Sequence, residues 1–127
     1  MDQFLVLYSL FGPFLVWPLE YYFPYPYVVE ELFKSILVFC FTRKSTSSFI
    51  LAGIAFALTE TVFYSFNINA LGNIGLLFTR FILTSILHSL TFLVIYWFTK
   101  IDRKLIIGGF ILAVLIHYTY NKYIPIY

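Results

Sequence analysis

Charge is what this chain has least of. Asp, Glu, Lys and Arg together make up 11% of its 127 residues, where a soluble domain averages about 25%. With 61% hydrophobic residues and a mean hydropathy of +0.90, a soluble globular domain is excluded. The class that remains is all-α: a polytopic transmembrane helical bundle. Cysteine occurs once, at Cys40 inside an apolar run, so no intrachain disulfide can form and packing is its expected role. The net charge of +2 is small, and the chain has no basic cluster, RNA-binding aromatic motif or zinc-finger spacing. Nucleic acid is therefore excluded as a partner. There is no Gly-rich phosphate loop, no His-Glu-x-x-His and no evident Ser–His–Asp arrangement. Met1-Asp2-Gln3 lacks a basic n-region and no small-residue cleavage site follows, so the first apolar run is expected to be a retained span. No lipidation motif is present. The length allows one domain, residues 1–127.

Five apolar segments are present: Phe4 to Trp17, extending toward Tyr22; Val28 to Thr42; Phe49 to Phe66; Ile74 to Thr99; and Leu105 to Tyr120. The first is short for a span of about 20 residues and contains Pro13 and Pro18, where a bend is expected. Between the first two lies Glu20-Tyr-Tyr-Phe-Pro-Tyr-Pro-Tyr27, whose tyrosines suit the water–lipid boundary. Arg43 and Lys44 separate segments two and three, and Lys100, Arg103 and Lys104 separate four and five. The other two connections carry no Lys or Arg. The positive-inside rule then predicts five crossings of the cell membrane, with the N-terminus inside and the C-terminus outside. Only Lys122 lies at the outer end against this pattern.

The orientation gives depths. Glu30 and Glu31 open segment two at its outer end. Glu60 lies about 9 Å below the outer end of segment three, at 1.5 Å per residue. His117 and Asn121 occupy the last outer turn of segment five. Arg80 stands near the outer start of segment four, with His88 two turns deeper. Four segments thus deliver polar residues at similar depth, which predicts a single site opening outward.

Each motif has a chemical and a bland meaning. In Glu30-Glu31-x-x-Lys34, two close carboxylates resist joint ionisation, which suits one of them to take a proton from water with the other and Lys34 in support. The bland alternative is a helix start stabilised by acids and by Glu–Lys pairs at i, i+3 and i, i+4. In Phe56-x-x-x-Glu60-x-x-x-Tyr64, an acid within hydrocarbon costs about 3 kcal/mol and needs a partner. It would be a second carboxylate, a metal ligand or a neutral packing residue. Arg80 would pair with a carboxylate or anchor at the interface. His88 would be a base, a ligand or a hydrogen-bond donor. His117-x-x-x-Asn121 aims two groups at one volume, which suits an oxyanion. Otherwise it is an ordinary polar helix end.

Taken in order, Glu-Glu-x-x-Lys at 30–34, Phe-x-x-x-Glu at 56–60, Arg80…His88 and His-x-x-x-Asn at 117–121 resemble the motifs of the PrsW family of intramembrane proteases. That family is related to the CAAX-processing and bacteriocin-processing proteases. The resemblance runs from about Val29 to Asn121. The chain is shorter than most members, and Ser89-Leu-Thr-Phe92 stands where a glycine-containing stretch often follows the histidine. The resemblance implies a single protease-like domain that hydrolyses a peptide bond of a membrane-associated protein, such as a single-span protein or peptide, near the outer face. By position, Glu30 and Glu31 would hold and activate water, Glu60 and His88 would complete the polar centre, and His117 and Asn121 would stabilise the oxyanion. Lys34, Arg80 and Tyr64 would support them. Two versions follow: a metal-free water poised by Glu and His, which the residue set favours, and a zinc ion on Glu60, His88 and His117 with an open fourth position. From other classes, a small proton-coupled transporter would use the same buried Glu and His, although no internal repeat is present. A non-catalytic subunit would use them to hold helices together.

Overall fold

A computed structural model describes residues 2–43, 45–66 and 72–124. Among these residues are five α-helices: α1 (Asp2–Tyr22), α2 (Pro26–Phe41), α3 (Thr46–Ser65), α4 (Ile74–Ile101) and α5 (Ile106–Tyr123), with a short 3-10 turn (Arg103–Leu105) leading into α5. Lys44, Asn67 and Asn69, which the sequence places in connections, lie outside the described residues.

The helix boundaries have local causes. α1 continues through both Pro13 and Pro18, so neither proline ends it. Proline removes an N–H from the helical ladder, and nearby the Leu10 carbonyl accepts a hydrogen bond from Thr59 Oγ1 of α3 at 2.6 Å. Pro26 opens α2, where a missing N–H costs nothing because the first turn has no acceptor for it. The Ser45 hydroxyl caps α3 by accepting from Ser48 N, and Asn73 Oδ1 caps α4 by accepting from Leu76 N at 3.0 Å. Asp102 Oδ1 accepts from Lys104 N at 2.9 Å and turns the chain into α5.

Packing contacts join the helices in the cyclic order α1–α3–α4–α5–α2, and α2 also reaches across to α4. The α3–α4 pair is tight because Gly53 lies against the backbone of Ser89, with no room there for a Cβ. Ser89 Oγ donates to the Ile50 carbonyl at 3.0 Å.

The bundle is apolar outside. Leu, Ile, Phe, Tyr and Trp side chains are exposed along every helix. A core of Leu5, Leu37, Val38, Phe49, Ala52, Phe92, Ile95, Tyr96 and Ala113 fills one part of the interior. The other part is polar, since Glu31, Lys34 and His88 are all 0% exposed. Charges inside and hydrocarbon outside is the arrangement a lipid solvent demands. α1, α3, α4 and the stretch through α5 are each long and apolar enough to cross a membrane. The chain is an integral membrane protein. α2 has 16 residues, about 24 Å of helix, and so falls short of a spanning length of about 30 Å.

Candidate active site

The polar residues meet in two layers between α2, α3, α4 and α5. The deeper layer is centred on Lys34. Its Nζ lies 2.7 Å from Glu31 Oε1, 2.7 Å from His88 Nδ1 and 3.0 Å from Thr91 Oγ1. An ammonium has three protons and accepts none, so all three contacts are donations. His88 Nδ1 is therefore the acceptor, and the ring's proton lies on Nε2. Nε2 stands 2.5 Å from Glu60 Oε2, to which it donates. The other oxygen of Glu60 accepts from Arg80 Nη2 at 2.9 Å. The Tyr64 ring lies 4.1 Å from the Arg80 guanidinium. Phe56 covers both Lys34 (5.1 Å) and the His88 ring (4.8 Å). A Lys–His–Glu–Arg chain thus links α2, α4 and α3, and it fixes the tautomer of His88.

The second layer faces a cavity of about 640 Å³. Glu30, Glu60, Arg80, His117 and Asn121 line it, with Glu20, Thr84 and Tyr120. Glu31, Lys34 and His88 do not. The two adjacent acids therefore do different jobs. Glu31 Oε1 accepts from both Lys34 and His117 Nδ1, the latter at 2.8 Å, which leaves His117 Nε2 free for the cavity. Glu30 lies on the wall. Its Oε2 has no hydrogen-bond partner among the described residues and stands 3.9 Å from His117 Nδ1. The His88 and His117 rings meet edge-on, with centroids 5.5 Å apart.

The zinc set of the less favoured version needs correction. Among the described residues, the three groups whose ligand atoms come within 4.8 Å of one another are Glu30, His88 and His117, not Glu60, His88 and His117. Glu60 is instead held by Arg80 and His88. Nor do Glu30, His88 and His117 fit a zinc ion as arranged. His88 Nδ1 already accepts from Lys34 and its Nε2 carries the proton given to Glu60, so His88 has no free lone pair. His117 Nε2 and Glu30 remain, whereas a catalytic zinc takes three protein ligands.

All nine expected residues belong to one assembly. Tyr64 supports Arg80 from outside the cavity, and Asn121 sits on an exposed part of the wall. Three contributors were missed by the sequence reading. Glu20 of α1 lines the cavity, although its Tyr/Pro surroundings signal only a boundary. Thr91 completes the Lys34 coordination, and the only sequence signal for it is its spacing of i+3 from His88 on α4. Tyr120 places a hydroxyl without a partner among the described residues beside the cavity.

Comparison with protein-family models, with curated proteins and with solved structures finds no match. The class stated by fold and composition is an integral membrane helical bundle with a polar cavity. Its chemistry must be argued from that cavity.

Proposed function

We propose that this protein is an intramembrane endopeptidase of the kind its PrsW-like motifs suggest. The reading is carried by one observation: Glu30, Glu60, Arg80, His117 and Asn121, from four helices, converge on one cavity, with the Glu30 carboxylate on its wall. Water held by Glu30 attacks the scissile carbonyl, and Glu30 takes its proton. The new C–O bond leaves negative charge on the carbonyl oxygen, which His117, as an imidazolium protonated on Nε2 as well as Nδ1, and the Asn121 amide stabilise. Collapse breaks the C–N bond, and Glu30 returns the proton to the leaving nitrogen. Glu31 is a positioning residue. It fixes the ring of His117 and offsets the charge of an imidazolium, as a buried carboxylate does for histidine in other hydrolases. His88 positions Glu60 in the same way.

Charge balance supports these roles. Lys34 offsets Glu31, and Arg80 offsets Glu60, so Glu30 is left to exchange a proton with substrate beside a His117 imidazolium. By the positive-inside rule the cavity opens at the outer face of the cell membrane, with the N-terminus inside and the C-terminus outside. The substrate would be a single-span protein or peptide presented from lipid.

A second reading has an observation in its favour. The complete burial of Glu31, Lys34 and His88 would also suit a non-catalytic bundle held together by polar contacts. One experiment separates the two. The parent, Glu30→Gln and His117→Ala proteins are incubated with a panel of single-span peptides, and products are read by mass spectrometry. Cleavage by the parent alone, with all three inserting and purifying alike, supports hydrolysis. No cleavage by the parent across the panel, or variants that fail to fold, favours the structural bundle.

A further inference from the structure

The candidate active site occupies one end of the bundle, where α1, α3 and α5 finish and α2 and α4 begin. A second cavity, of about 660 Å³, lies at the other end. Phe4 and Tyr8 of α1 and Cys40 and Phe41 at the end of α2 form its apolar wall, with Arg43 and Arg103 beside them. The arginines are sixty positions apart in sequence, and the fold brings them to one concavity. Arg103 is held over the Phe39 ring at 5.1 Å, and Tyr8 packs on Phe41 with centroids 6.2 Å apart. Among the described residues no carboxylate lines this cavity. Basic residues that merely set membrane orientation need no such hollow.

We propose that this cavity holds one anionic phospholipid of the surrounding bilayer, with its phosphate between Arg43 and Arg103 and an acyl chain along Phe4, Tyr8 and Phe41. Three features select that ligand. Guanidinium groups offer paired N–H donors matched to phosphate oxygens. The aromatic wall rewards an apolar tail, which a free anion lacks. Two guanidinium charges, with no carboxylate among the described lining residues, favour a headgroup of net negative charge over a zwitterionic one. The site is independent of the hydrolytic reading.

The test uses the full chain in neutral detergent, titrated with phosphatidylglycerol, phosphatidylcholine or glycerol 3-phosphate, with bound ligand counted by native mass spectrometry. One phosphatidylglycerol should be retained, in preference to the other two. Arg43→Gln with Arg103→Gln should weaken its binding about thirty-fold, and Lys122→Gln, at the opposite end, should not. Equal retention of the two lipids, or no loss in the double variant, would overturn the proposal. Glycerol 3-phosphate binding as tightly as the lipid would show a soluble-anion site instead. Cys40 gives a second reading on the unaltered chain, since it is the sole cysteine, exposed, and in the cavity wall. Its alkylation by a maleimide should slow several-fold in phosphatidylglycerol bilayers relative to phosphatidylcholine. Identical rates in both would refute lipid occupancy even if the double variant does not fold.

Discussion

Replacing Lys34 by Met removes one charge and almost no volume. Lys34 is 0% exposed and donates to Glu31, His88 and Thr91 at once. Methionine keeps the contacts with Phe56 and Phe92 that the lysine stem and ammonium now make, so packing changes little. What remains is a buried Glu31 carboxylate with no ammonium beside it, held by His117 Nδ1 alone of its two donors. Stranding one member of a buried ion pair costs about 3–5 kcal/mol, equivalent to about 10²–10⁴ in the folding equilibrium. SDS titration in mixed micelles, followed by the fluorescence of Trp17 and Trp97, would read that loss. The second half of the prediction is more discriminating. Adding Glu31→Gln to Lys34→Met removes the stranded charge, so the pair should recover at least about 2 kcal/mol of what the single variant lost. Cleavage should not return with stability, because His117 would still lack its carboxylate. A Lys34→Met protein destabilised by less than about 1 kcal/mol, or a double variant weaker than either single one, would show that Lys34 and Glu31 do not form the charged pair described.

Glu30→Gln should keep its insertion and unfolding midpoint while losing cleavage by about 10²–10⁴-fold, the usual contribution of a positioned base; paired activity and unfolding measurements check both halves. Gly53→Ala should destabilise by about 1–3 kcal/mol, because the added methyl meets the backbone of Ser89 on α4; the same titration reads it. Thr59→Val should cost about 1 kcal/mol by removing the hydrogen bond that ties α3 to the Leu10 carbonyl of α1, again seen as a shifted midpoint. Elemental analysis of purified protein should find no stoichiometric zinc, and cleavage should survive chelators, since His88 has no lone pair free for a metal. Stoichiometric zinc together with chelator-sensitive cleavage would require His88 to turn away from Lys34.

The sequence carried the helices well because hydrocarbon imposes one rule on every span. Apolar runs must be long, and the backbone within them has only itself to bond. Boundaries moved by a few residues where caps decided them: Ser45 starts α3 at Thr46, ahead of the apolar residues that begin at Phe49. The site was legible at residues whose cost in lipid demands a reason, such as Glu60 and His88. It was less legible where one-dimensional spacing suggests the wrong partner. Glu30 and Glu31 look equivalent in sequence, yet one turns to Lys34 and His117 while the other faces the cavity. Arg80 and His88, two turns apart, look like separate features, yet both grasp Glu60 because α3 lies between their reaches. Glu20 was hidden among interfacial tyrosines, since nothing in its neighbourhood reveals that α1 turns it toward the cavity.

The shortness of α2 has a consequence for any peptide cleaved here. A helix lying in lipid has each interior carbonyl already committed to its own backbone, so a catalyst buried at mid-depth would meet no reactive bond. A sixteen-residue helix is instead shorter than a full span and carries Glu30 in its second turn, near its own N-terminal end. Lipid beside it must thin, or water must descend, to meet that end. A guest helix passing there would lose its hydrocarbon cover over about its last turn, where unwinding exposes the fewest unpaired groups to lipid. The bond most readily offered to Glu30 would then lie just inside the guest's outer boundary, and its position would be set by the length of α2 rather than by the guest's side chains.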